Sequence, residues 1–123
     1  MSSHCLLRSF VKKQWLLDNS AGYDVEVNKE NKRIFVEVKS SISMMDKAFA
    51  TISNHQIETA IDTMNTSDEF IFHLWSFYEN KKYLAEIEVQ EMNKVWHKKK
   101  PGITIPEQQV SFHIFKDKFR EVD

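Results

Sequence analysis

Hydrophobic positions change their period along this chain, and each change marks an element. Leu6, Leu7, Phe10, Val11 and then Gln14-Trp15 follow spacings of three and four, which predicts a short amphipathic helix. Residues 18–22, Asp-Asn-Ser-Ala-Gly, form a turn cluster. Two strand-like runs follow at 22–27 and 33–39, and they read as one hairpin with its turn centred between Glu30 and Asn31. In the second run Ile34, Val36 and Val38 share one face, while Arg33, Phe35, Glu37 and Lys39 share the other. Residues 40–47 are polar and read as a loop, with Met44-Met45 as a flap. Residues 48–52 form a short strand or an extended lead-in to Ser53. Ser53 has the position of an N-cap, and Gln56 completes a capping box. Ile57, Ala60, Ile61 and Met64 are the expected buried stripe of that helix, which ends at 65–68. The aromatic run 70–78 is β-prone, Asn80-Lys81 turns the chain, and 83–89 returns as the partner strand. Residues 90–109 are less regular, and 110–115 alternate like a last strand or the start of a docking segment. The order predicts a mixed α/β domain, a sheet backed by helices. It is expected to be one domain over 1–123, with its core motif in 22–89 and a C-terminal extension over 90–123.

Composition narrows the functional classes. The 123 residues are 41% hydrophobic and include nine Phe, three Trp and three Tyr, enough for a packed core. Only two Gly and two Pro argue against a flexible linker. No apolar run approaches the ~20 residues of a membrane span, and the first residues lack the pattern of a signal peptide. Cys5 is alone, so neither a disulfide framework nor a cysteine zinc site is expected, and a cytoplasmic location follows. The net charge of −1 is not the broad basic field of a nonspecific DNA binder. Nucleic-acid contact would have to use a local patch. The candidate is Lys94, His97, Lys98, Lys99 and Lys100 around Trp96, where base stacking and phosphate neutralisation could act together; a plain solvated lysine face is the alternative. The five histidines show no zinc-motif spacing.

The hairpin carries the sharpest chemistry. Symmetric pairing about its turn puts Asp24 across from Glu37, and like charges on directly opposite residues are destabilising. A cation between them removes that cost, which makes the pair a candidate divalent-metal site with Lys39 beside it. The plain alternative is a turn-adjacent solvent carboxylate at Asp24 and the wet face of an edge strand at Glu37 and Lys39. Phe35 shares that face, however, and needs cover. Glu26 lies on the Asp24 face and is either a further ligand or a surface acid.

Asp24, then Glu37-Val38-Lys39 on a hydrophobic strand, resembles the PD-(D/E)XK nuclease superfamily and its restriction endonuclease-like fold. Gly22-Tyr23-Asp24, the Val36-Glu37-Val38-Lys39 strand, the Ser53-capped helix and the aromatic strand pair are more specifically similar to the NO VEIN C-terminal-like domain, over residues 22–89. The resemblance implies Mg²⁺ or Mn²⁺ held by Asp24, Glu37 and the Val38 carbonyl, lowering the pKa of a bound water and neutralising the scissile phosphate. Lys39 would orient or help deprotonate that water, or stabilise the developing charge. Gln56 falls where related enzymes place a polar residue, reaching toward the site or the phosphate, although a plain capping role fits it equally. Ser40 and Ser41 would hydrogen-bond a phosphate oxygen. One departure stands out: many active members carry a further acid on the first helix, and residues 1–17 here contain no Asp or Glu.

The expectation is therefore a metal-dependent DNA endonuclease-like domain in a restriction, defence or repair setting, acting as a homodimer or within a larger assembly. The short amino end also suits a piece of a longer polypeptide. The alternatives are a catalytically inactive module that binds nucleic acid or protein, and a small α/β scaffold with no nucleic-acid partner.

Overall fold

The structure, a computed structural model, describes the backbone of residues 11–13 and, with their side chains, residues 22–96 and 107–123. The hairpin forms as its alternation requires. Strands β2 (Val25–Lys29) and β3 (Lys32–Ser41) pair antiparallel, with Val25 opposite Val36 and Val27 opposite Ile34. Glu30 takes the turn at φ 56°. β1 (Val11–Lys13) pairs with β2 and brings Val11 opposite Val27. This corrects the amino-terminal helix at those positions. A short apolar run does not distinguish helix from strand by spacing, and β2 offers an open edge to pair. The rest of that stretch lies outside the described residues.

β4 (Phe49–Ser53) leads directly into helix α1 (Asn54–Thr63). The capping box is complete: Gln56 N–H donates to Ser53 Oγ, and Ser53 N–H donates to Gln56 Oε1. The helix buries Ile57, Ala60 and Thr63, whereas Ile61 and Met64 are exposed, so the apolar stripe is rotated from the expected one. After α1 the chain enters β5 (Glu69–Tyr78), which runs parallel to β3 with Glu37 beside Phe72 and Lys39 beside Leu74. A turn with positive φ at Glu79 and Asn80 returns it as β6 (Lys81–Glu88), followed by the short helix α2 (Val89–Met92).

Beyond residue 106, β7 (Glu107–Ser111) pairs antiparallel with β4. The expected strand over 110–115 ends early. Phe112–Lys118 form a 3₁₀ segment that buries Phe112 and Phe115, because Ser111 Oγ accepts the His113 N–H and turns the chain. β8 (Arg120–Val122) then pairs with β6. Among the described residues the main sheet has six strands in the order β1-β2-β3-β5-β6-β8, and β4 and β7 form a second, two-stranded sheet. β3 is thus an interior strand, paired with β2 as far as Val36 and with β5 beyond it, and the wet-face alternative for Glu37 is overturned by its burial. No helix among the described residues is long and apolar enough to cross a membrane.

One face of the main sheet holds the larger core. Phe35, Phe70, Phe72, Leu74, Ala85 and Ile87 pack there with Ile57 and Ala60 of α1 and with Ala50, Ile52 and Val110 of the small sheet. Val27, Ile34 and Val36 belong to a smaller cluster on the opposite face. Glu37 and Lys39 emerge on the Phe35 face by strand alternation.

Gly22 fixes the approach to β2. It sits at φ 82°, and a Cβ placed there would collide with the Thr59 side chain of α1. Gly22→Ala is therefore expected to destabilise the fold by at least about 1–2 kcal/mol, since both the left-handed backbone and the close approach resist a side chain. A lowered urea midpoint with an unchanged slope checks this.

Candidate metal and catalytic site

Asp24 stands one residue before β2, at a bend where its N–H donates to the Val36 carbonyl over 2.9 Å. Its carboxylate folds back onto β3 and accepts the Val38 N–H at Oδ2, also over 2.9 Å. This bond replaces the strand partner that Val38 lacks beyond the end of β2. A residue's N–H and C=O lie on the same edge of an antiparallel strand, so the Val38 carbonyl also lies on the Asp24 side. Only that carbonyl belongs to the site, because the Val38 side chain is on the other face.

Glu37 is 2% exposed. Its Oε2 accepts from Gln56 Nε2 at 2.6 Å and pairs with Lys39 Nζ at 3.1 Å. Its Oε1 is buried with no hydrogen-bond partner among the described residues. Burial pushes the Glu37 carboxyl up to about 7; Lys39 opposes the rise, and the charge of Asp24 adds to it. Two acids, one orphaned oxygen and a backbone carbonyl form a hard-oxygen donor set of the kind Mg²⁺ and Mn²⁺ take, so these residues fit a divalent cation. Among the described residues no third His, Cys, Asp or Glu joins them.

Lys39 Nζ also donates to Gln56 Oε1 at 3.0 Å. Glu37, Lys39 and Gln56 are therefore linked around one point, and the Asp24 carboxylate lies near enough to raise the Glu37 pKa. The other expected contacts divide. Ser41 shares the Lys39 face, and its Oγ accepts the Ser43 N–H at 3.1 Å. Ser40 is on the opposite face with Val38, which removes it from this cluster by alternation alone. Trp96 is buried at 5% exposure, donates to Asn93 Oδ1 at 2.6 Å and meets Phe72 edge-on at 6.0 Å. It is a core residue without an open face for a base, which corrects its assignment as a stacking platform. Lys98, Lys99 and Lys100 lie outside the described residues.

Glu26 is buried as well, contrary to the surface alternative, and its Oε1 accepts from the Tyr23 hydroxyl at 3.3 Å. Tyr23 packs on Phe35 with ring centroids 4.5 Å apart. Sequence reasoning gave Tyr23 no separate part, although an aromatic residue beside the lone glycine of this turn was the available signal. His73 is buried within β5, and His113 is exposed.

The chain matches the family described as Protein NO VEIN, C-terminal, over residues 6–87. No curated protein matches it significantly. Among solved structures it is similar to Hjc, a Holliday junction resolvase from the archaeal hyperthermophile Archaeoglobus fulgidus, at a TM-score of 0.52. That superposition covers 92% of this chain and 80% of the resolvase at 9% identity, so the likeness is one of fold. The chain belongs to the NO VEIN C-terminal family and has a restriction endonuclease-like fold.

Proposed function

We propose that this domain is a divalent-metal-dependent nuclease acting on DNA, with Asp24, Glu37 and the Val38 carbonyl holding the cation. The observation that carries the reading is Glu37 Oε1, a buried oxygen without a donor among the described residues, beside a second carboxylate. When bound, Mg²⁺ or Mn²⁺ would lower the pKa of an attacking water and offset charge on the scissile phosphate. Lys39 supplies the remaining positive charge. Two of the three ammonium N–H directions are used by Glu37 and Gln56, which leaves one for a substrate oxygen or for the attacking water. Ser41 is the hydroxyl placed to follow the backbone along this face, and the Lys98–Lys100 run would add phosphate contacts. A chain of this size engages a duplex most readily as a homodimer or within an assembly, and a four-way junction, the substrate named for the structural neighbour, belongs among the DNAs to try. The second reading is an inactive binding module, favoured by the acid-free stretch 1–17.

Supercoiled, linear, single-stranded and four-way-junction DNA incubated with the chain and Mn²⁺ distinguish these readings. Cleavage that is lost in Lys39→Ala supports the enzyme; Mn²⁺ binding without cleavage of any of these DNAs supports the module. Calorimetric titration should show Mn²⁺ binding that disappears in Asp24→Ala and Glu37→Ala. If DNA phosphates are contacted, affinity must also fall as salt rises.

A second expectation concerns pH. Because the folded carboxyl of Glu37 titrates near 7 rather than 4.5, its stabilising contribution to the metal-free fold is complete below about 4.5. That contribution is lost as pH rises through 7. The loss is on the order of 3 kcal/mol. Glu37→Gln should flatten this part of the stability profile and raise metal-free stability at pH 8. Mn²⁺ should restore wild-type stability there and leave the variant unchanged. Chemical unfolding across pH 4–8 reads both effects.

A further inference from the structure

We infer that Gln56 is a positioning residue that ties the amino-terminal cap of α1 to the cation-facing carboxylate, rather than a group that touches the phosphate. The inference rests on the metal reading above. The Gln56 amide is engaged at both ends. Its Oε1 accepts from Ser53 N and from Lys39 Nζ, each over 3.0 Å, and its Nε2 donates to Glu37 Oε2 over 2.6 Å. These partners fix the amide's orientation. Exchanging its ends would point an NH₂ group at two other donors and a carbonyl at a carboxylate.

Three consequences follow from that arrangement. Glu37 Oε2 is held by two donors, Gln56 and Lys39, so the carboxylate cannot turn without breaking both contacts, and Oε1 stays the oxygen open to a cation. The Lys39 ammonium is held between Glu37 and Gln56 and is kept from swinging away. The first turn of α1 shares its cap with this cluster, so movement at Gln56 disturbs both. The role demands an acceptor at one end of a side chain and a donor at the other. Glu at this position would satisfy the capping box but would bring another carboxylate against Glu37, whereas an apolar residue would bridge nothing.

The capping box separates the helix role from the site role. Among the described residues Ser53 Oγ accepts only the Gln56 N–H, so Ser53→Ala weakens the cap without removing a contact to Lys39 or Glu37. Gln56→Ala weakens the same cap and removes both contacts. Gln56→Met does so while retaining side-chain volume. The test is the Mn²⁺ affinity of wild type, Ser53→Ala, Gln56→Ala, Gln56→Met and Asp24→Ala by calorimetry, each shown to be folded by urea unfolding. The expected result is Ser53→Ala within about twofold of wild type, and both Gln56 variants weaker by about 10–100-fold, the usual cost of losing a residue that orients a ligand. If wild type binds through Asp24 and the Gln56 variants match Ser53→Ala, the positioning role is overturned while the metal site stands. If wild type takes up no Mn²⁺, or Asp24→Ala binds as wild type does, the metal reading fails and this inference falls with it.

Discussion

A half-satisfied carboxylate buried in the middle of a sheet is the constraint around which this domain is organised. Glu37 sits on the central strand β3, next to Phe72 of β5, on a face otherwise filled by Phe35, Phe70 and Leu74. Burying an ionised group there is costly unless it is paired and hydrogen-bonded. Lys39 and Gln56 meet that need at one oxygen, and among the described residues no hydrogen-bond partner meets it at the other. Asp24 adds negative charge beside it. A core built only for stability would place an apolar residue at position 37. The cost becomes intelligible when the unsatisfied oxygen serves a cation, as strained or incompletely satisfied positions gather at functional sites.

The fold supplies this arrangement through elements that are rigid for independent reasons. β3 is held by β2 on one side and β5 on the other. Asp24 is held by a bend whose N–H and carboxylate both bond to β3. Gly22 allows the backbone at its own position to lie against Thr59 of α1. The capping box places Gln56 one turn inside α1, where its side chain reaches both Lys39 and Glu37. Positioning by a strand, a bend and a helix start keeps the polar groups in place without a mobile loop among them.

Much of this was legible in the sequence because the signals were local. The two-residue alternation gave the shared face of Glu37 and Lys39, the Glu30-Asn31 turn gave the hairpin register, and Ser53 with Gln56 gave the helix start. Errors arose where tertiary context decided. Val11–Lys13 became a strand because β2 had an edge to fill. Ile61 and Met64 lost the buried side of α1 to Thr63, a rotation that the spacing of apolar residues did not encode. Trp96, surrounded by lysines in the chain, turned inward onto Phe72, since a charge run says nothing about the direction of the aromatic residue within it. The orphaned oxygen of Glu37 was beyond any sequence argument, because it depends on which of two oxygens Lys39 and Gln56 approach.

The central claim is that a cation belongs between Asp24 and the free oxygen of Glu37. Anomalous diffraction from crystals of the chain grown with Mn²⁺ tests it most directly. The account predicts a single strong peak about 2.0–2.2 Å from Glu37 Oε1 and in contact with Asp24. A map with no peak there, or with Mn²⁺ only on surface carboxylates such as Glu88, would contradict it.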